Sequence, residues 1–222
     1  GITTPFLVPD IVYIVPLLTL SVPAAVTGAT GIDALTHCIE AYTNKFAHPF
    51  VDMYALEGIR LIASNIVKTI HNGHDEEARS EVATGSLLGG ICLGPVNTAA
   101  VHALAYPLGS MFHLAHGLSN ALLLPWVMEF NLPASPCRYA KVAVALGCST
   151  EPNDVATGRQ GIARVKALTR DCGLPAGLGE AGIKRESIPA MAKEAMKITR
   201  LLKNNPRPIT EQDAVEIYNA AF

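Results

Sequence analysis

Residues 49–70 read PFVDMYALEGIRLIASNIVKTI. Apolar side chains return at Phe50, Met53, Tyr54, Leu56, Ile59, Leu61, Ile62 and Ile66, a 3.6-residue rhythm that predicts a helix. The same reading extends outward in both directions. Helices are expected over 27–43, 76–93, 98–105, 117–131 (with a kink or restart at Pro125), 136–147, 153–172 and 187–203. A last one begins at Thr210, where T-E-Q-D follows Pro206 and Pro208. HNGHD, residues 71–75, reads as a turn. Gly94-Pro95, and then Pro107 with Gly109, read as helix stops. The first twenty residues carry three prolines and a β-branched run, which suggests an extended lead-in. No repeat, linker or second composition regime appears. The simplest architecture is one all-α domain spanning residues 1–222.

Composition narrows the function classes. Half of the residues are hydrophobic and 16% are charged, so a large core can be buried. A net charge of −2 supplies no basic field, which argues against nucleic acid as a partner. No apolar run long enough to span a membrane goes uninterrupted, and no basic leader precedes one, so neither membrane nor secretion is expected. Five scattered cysteines without CxxC spacing read as reduced thiols of a cytoplasmic protein. Cys38, beside His37, has the chemistry of a metal ligand but fits better as a core thiol. Residues 177–182, GLGEAG, match a dinucleotide fingerprint only formally. The segment follows a helix where the fingerprint needs a strand, and no buried helix follows it.

Two stretches carry chemistry. In GATGIDALTHCIEAY, residues 28–42, Asp33 and His37 stand four apart, which puts carboxylate and imidazole on one helical face. Apolar residues surround the pair, and no Lys or Arg lies between Thr19 and Asn44. A buried carboxylate of this kind calls for a cation. In VHALAYPLGSMFHLAHG, residues 101–117, three histidines lie inside a run, Val82 to Met128, that holds no Asp, Glu, Lys or Arg. His102, His113 and His116 can each be satisfied by backbone carbonyls. Together with an unpaired Asp33, they also offer a shell for a divalent ion.

These motifs resemble the iron-containing (group III) alcohol dehydrogenase family, specifically its C-terminal helical domain in the dehydroquinate synthase-like fold. ATGIDALTHCIEAY, ALEGIRLI at 55–62, VHALAYPLGSMFHLAHGLSNALLLP at 101–125 and NNPRPIT at 204–210 carry the resemblance over essentially the whole chain. The resemblance implies Asp33, His37, His102 and His116 as metal ligands, with His113 outside the set. The ion would be Fe2+, or Zn2+, since oxygen and imidazole donors suit both. Family members bind NAD or NADP through a glycine-rich N-terminal half, which is expected to be absent from this chain. Four departures stand out: Tyr106 replaces the second histidine of a common HxxxH, Ala115 a usual proline, Trp126 a histidine in LPH, and Val15 an aspartate.

The function so implied is NAD(P)-linked interconversion of a primary or secondary alcohol with its aldehyde or ketone. A small molecule is the partner, and a homodimer or higher homo-oligomer the assembly. Tyr106 falls near nicotinamide and substrate in the family; with His113 it is a candidate for the proton path. Two alternatives stay open. One is a helical metal-binding and dimerisation fragment without turnover of its own. The other is a metal-dependent hydrolase with Glu40, seven residues from Asp33, as its base.

Overall fold

The computed structural model describes residues 4–222. Helix, short 3-10 turns included, accounts for 71% of the described residues, and no strand occurs among them, as the all-α reading expects. Among the described residues ten α-helices follow in order: α1 Ala24–Thr43, α2 Pro49–His71, α3 Glu76–Val96, α4 Ala100–Phe112, α5 His116–Asn131, α6 Pro136–Ala145, α7 Asp154–Asp171, α8 Ile188–Ala195, α9 Thr199–Leu202 and α10 Glu211–Ala220. α1, α2 and α3 pack on one another. α5 crosses α1 and pairs with α4 and α7, α6 pairs with α7, and α8 bridges α4 to α10. The core sits where these layers meet. Ile32, Leu35 and Ile39 of α1 bury with Ile59, Ile62 and Ile66 of α2 and Leu104, Leu108 and Leu123 of α4 and α5. α1 is therefore a central helix, with neighbours on several faces.

Local chemistry explains several of the helix starts. Asp75 accepts from the Ala78 N–H, so α3 begins on a side-chain cap directly after the expected 71–75 turn. Thr210 and Asp213 form a reciprocal capping box at the start of α10. The lead-in is irregular over its described part, with short 3-10 turns at Pro5–Leu7 and Pro16–Thr19. Residues 1–3 of that expectation lie outside the described residues.

Two expected breaks fall elsewhere, and one unexpected break occurs. α3 runs past Gly94-Pro95 to Val96, and the chain turns at Asn97 instead. α4 runs through Pro107 to Phe112, where a stop is expected at Ala105. Pro107 removes one helical donor, but it lies buried among Leu104, Ala105 and Leu108, and that packing outweighs the lost bond. Beside the gap, the Tyr218 hydroxyl donates to the Leu104 carbonyl at 2.6 Å. The stretch 187–203, expected as one helix, breaks at Ile198 into α8 and α9. The new direction buries Leu201 as well as Met191 and Ala195. GLGEAG, by contrast, is a turn as its context implied. The Leu178 N–H donates to the Ala221 carbonyl, so the last residues of the chain clasp it.

No single helix among the described residues is long and apolar enough to cross a membrane; the charge-free run folds as the later part of α3, half-buried, followed by the largely buried α4 and α5, with α3 and α4 meeting at 103°. All five cysteines are free thiols. Cys38 packs into the α1–α3 contact with its Sγ 3.8 Å from the Gly85 carbonyl, and burial pushes that thiol well above its ordinary range. It therefore serves the core.

Candidate metal centre

Three helices bring four side chains together. α1 supplies Asp33 and His37 from one face, one turn apart, as their spacing requires. α4 supplies His102 from its first turn, and α5 supplies His116 as its first residue. His37 Nε2 lies 3.7 Å from Asp33 Oδ1, His102 Nε2 3.5 Å from the same oxygen, and His116 Nε2 3.8 Å from Oδ2. The His37 and His102 rings stack at 4.8 Å, and the His102 and His116 rings are 5.2 Å apart. Ligand atoms of Asp33, His37 and His102 lie within 4.8 Å of one another, the spread a single ion can gather.

A shared reason places His116 there. A Cβ on Gly117 would stand 2.6 Å from the Ala29 carbonyl oxygen of α1. Only glycine lets the α5 N-terminus approach the α1 backbone so closely, and that approach carries His116 to Asp33.

Glu40 and Asn120 complete the arrangement. Glu40, only 3% exposed, lies two turns beyond Asp33 on α1. One oxygen accepts from the Val101 N–H at 2.6 Å, and the other lies 2.6 Å from His102 Nδ1. A carboxylate from α1 thus caps the start of α4, where the helix dipole favours a negative charge. Committed to two hydrogen bonds, Glu40 is not free to act as the base of a hydrolase. Asn120, fully buried, donates from Nδ2 to Asp33 Oδ1 at 2.7 Å. The same nitrogen lies 3.2 Å from His102 Nε2 and 3.1 Å from His116 Nε2. Its Oδ1 has no hydrogen-bond partner. Sequence reading passed over Asn120, although its place four residues after His116 on a helix was the available signal.

The electrostatics are those of a cation site. Two carboxylates, Asp33 and Glu40, face the histidines, and neither forms an ion pair with Lys or Arg among the described residues. Burial lowers the His102 pKa, but Glu40 and Asp33 outweigh it and raise it to about 9. Burial likewise raises Asp33, yet its bond with His102, the nearby imidazoles and Asn120 bring it below the usual carboxylate range. Burial and the His102 charge hold His37 below its ordinary value. The site thus favours one positive charge at its centre.

Tyr106 and His113 fall differently. The Tyr106 ring lies 6.2 Å from that of His116, and its hydroxyl accepts from Arg200 at 3.2 Å. His113 ends α4 in the left-handed region, φ 57°, with its N–H on the Gly109 carbonyl. Its side chain is exposed and makes no hydrogen bond or ion pair to the cluster among the described residues. Ala115, where the family usually has proline, is the residue before α5 and leaves the His116 geometry intact. The Trp126 ring carries Lys166 Nζ 3.6 Å above it, away from the four ligands.

An all-helical domain that gathers one aspartate and three histidines from three helices is the class of protein that the fold and site define. The description "Fe-containing alcohol dehydrogenase family, C-terminal" matches residues 27–222, and the chain belongs to that family. It is 41% identical to the long-chain-alcohol dehydrogenase 1 of Geobacillus thermodenitrificans over all of this chain and 56% of that protein. It is 39% identical to the 1,3-propanediol dehydrogenase of Klebsiella pneumoniae over 93% of this chain and 54% of that one. Among solved structures, a 1,3-propanediol oxidoreductase superposes with TM-score 0.91 at 39% identity, covering 93% of this chain and 54% of its own. An alcohol dehydrogenase from Oenococcus oeni gives 0.90 at 34%, with the same coverage. The chain spans about half the length of the curated relatives it matches.

Proposed function

We propose that Asp33, His37, His102 and His116 hold one divalent ion, Fe2+ or Zn2+, and that the chain is the metal-binding part of an NAD(P)-dependent alcohol dehydrogenase. The reaction would interconvert a primary or secondary alcohol with its aldehyde or ketone. The observation that carries the reading is the set of 3.5–3.8 Å separations between Asp33 oxygens and imidazole nitrogens. Donors about 2.1 Å from a common centre in a tetrahedral shell stand about 3.4 Å apart. Such an ion would supply Lewis acidity toward the substrate oxygen.

The chain's own residues supply the rest. Glu40 fixes the His102 ring and tautomer by accepting at Nδ1, which leaves Nε2 facing Asp33. Asn120 steadies Asp33. α4 is buried around His102 and carries no charged residue, which keeps water off that side. The half-exposed His116 side chain marks the open side, from which a small alcohol would enter. Tyr106, on that side, is the group we assign to substrate and nicotinamide. We leave His113 out of the reacting set, because its exposed, left-handed cap position serves the end of α4.

Titration with Fe2+ or Co2+, followed by metal analysis, should find about one ion per chain, lost in Asp33→Ala and in His116→Ala. Full occupancy in either variant would sink the ligand set. A second reading, metal binding without turnover by this length of chain, is favoured by its match to only about half of each relative. Tight NADH binding measured by fluorescence would discard it.

A further inference from the structure

A cavity of about 510 Å³ lies between the lead-in and the α1–α3 bundle, and none of Asp33, His37, His102 or His116 lines it. Ile14, Val15 and Leu18 of the lead-in form one wall, and Val82, Ala83 and Leu87 of α3 form another. Thr27, Gly31, Ala34, Thr69 and Arg79 are the buried part of the lining. The exposed Tyr13 and Thr30 mark its mouth. A space of this size matches a small-molecule site. No Asp or Glu lines it, and Arg79 is the one charged residue that does.

Arg79 is only 5% exposed, yet it forms no ion pair among the described residues, whereas the exposed Arg60, Arg170 and Lys197 do. Its partners are neutral. Nε donates to the Gly73 carbonyl at 2.9 Å, Nη1 to the Thr27 hydroxyl at 3.0 Å and Nη2 to the Val22 carbonyl at 3.4 Å. A guanidinium carries five N–H groups, so one on each terminal nitrogen is left over. The start of α3 adds its own positive potential, because the helix dipole points that way. A cation taken out of water without a counter-charge is costly, and an anion reaching the two remaining N–H groups would offset that cost. The Thr69 hydroxyl spends its proton on the Ile66 carbonyl at 2.7 Å, so the guanidinium is the main donor at the buried end. One fork of donors among apolar walls fits a single compact head such as a carboxylate, followed by an alkyl chain.

We propose that this cavity is a second binding site, separate from the metal centre, and that it takes a medium-chain fatty acid. The carboxylate sits on Arg79, and the alkyl chain runs between Ile14 and Val15 on one side and Val82 and Leu87 on the other. The site does not depend on the metal reading, because the two sets of residues are different.

The whole chain, dialysed against EDTA, is titrated calorimetrically with octanoate, with octanamide as the uncharged molecule of the same length, and with acetate as the head alone. Octanoate should bind about tenfold or more tighter than octanamide. Acetate should bind about a hundredfold or more weaker than octanoate, since it lacks the chain. Ala83→Trp, which fills the cavity from α3, should abolish octanoate binding. Arg79→Gln should bind acid and amide alike, with circular dichroism read on the same sample. If that variant does not fold, Ala83→Trp decides. Equal affinity for acid and amide in wild type, or octanoate binding that survives Ala83→Trp, overturns the proposal. So does an affinity that appears only when Zn2+ is added and is lost in His116→Ala, which would give the carboxylate to the metal centre. A light-scattering mass that halves in Ala83→Trp, with no octanoate heat in wild type, would give the groove to a second copy of the chain and overturn it as well.

Discussion

Glu40 holds two groups at once, the Val101 N–H and His102 Nδ1, and both bonds need a carboxylate that only accepts. Glu40→Gln puts an amide N–H2 against one of them. If the glutamine oxygen keeps Val101, its nitrogen donates to Nδ1 and drives the imidazole proton onto Nε2, the atom that faces Asp33. Metal affinity should then fall roughly 10–100-fold while the helical circular dichroism is unchanged. Unaltered affinity would show that Glu40 caps α4 without steering the tautomer. The residue scale also marks how far the sequence could be read. Asp33 and His37 were visible as an i,i+4 pair, and Glu40 as a neighbour on the same face. Its partners were not visible, because Val101 and His102 are some sixty residues away, and only packing of α4 against α1 brings them near.

At the scale of elements, the site depends on how closely α5 meets α1. Gly117→Ala would place a methyl 2.6 Å from the Ala29 carbonyl oxygen and 2.9 Å from its carbon, both backbone atoms that cannot rotate away. The helix must retreat, which should cost about 2 kcal/mol of stability and draw His116 off the cluster. Denaturant melts and metal titration should both move; a change in melting alone would show that α5 does not set the His116 position. α10 offers a contrast, because its start is wholly local. The Thr210 hydroxyl and N–H both donate to Asp213, and these bonds hold that carboxylate below the usual aspartate range. A depressed folded-state pKa adds stability above the unfolded value and loses it as pH falls through the folded one. Asp213→Asn should therefore be slightly less stable than wild type at pH 7, by no more than a few tenths of a kcal/mol for so exposed a group, and the gap should close as pH falls below about 4. A gap that persists in acid would place the effect outside the carboxylate. T-E-Q-D was legible as a helix start for the same reason: all its bonds lie within four residues.

Across the whole molecule, NNPRPIT closes the fold. Asn205 and Asn131 exchange buried amide hydrogen bonds at 2.7 and 2.9 Å, Asn204 holds the Thr98 carbonyl, and Arg207 donates to the Phe130 carbonyl while stacking on its ring at 3.9 Å. Asn205→Ala leaves the Asn131 amide buried without its partner and should destabilise the chain by about 1–3 kcal/mol. Metal stoichiometry should stay the same, since none of these groups touches the cluster. A stability unchanged in chemical denaturation would mean that the pair exchanges readily for water. This motif carried the family resemblance in the sequence, yet its work is structural, and nothing in seven consecutive residues discloses partners in α5 and the loop before α4.

The sequence by itself determined the helical class, most helix starts, the carboxylate–imidazole pair on α1 and the absence of Lys and Arg around it. Periodicity, caps and composition act over a few residues, so they can be read in order along the chain. Only the tertiary structure decided that α4 continues through Pro107 and that His113 ends it. It alone joined Glu40 to His102, drew Asn120 to Asp33 and set Arg200 against Tyr106. Each of these outcomes turns on burial or on contacts between distant helices, and those energies do not exist until the chain has packed.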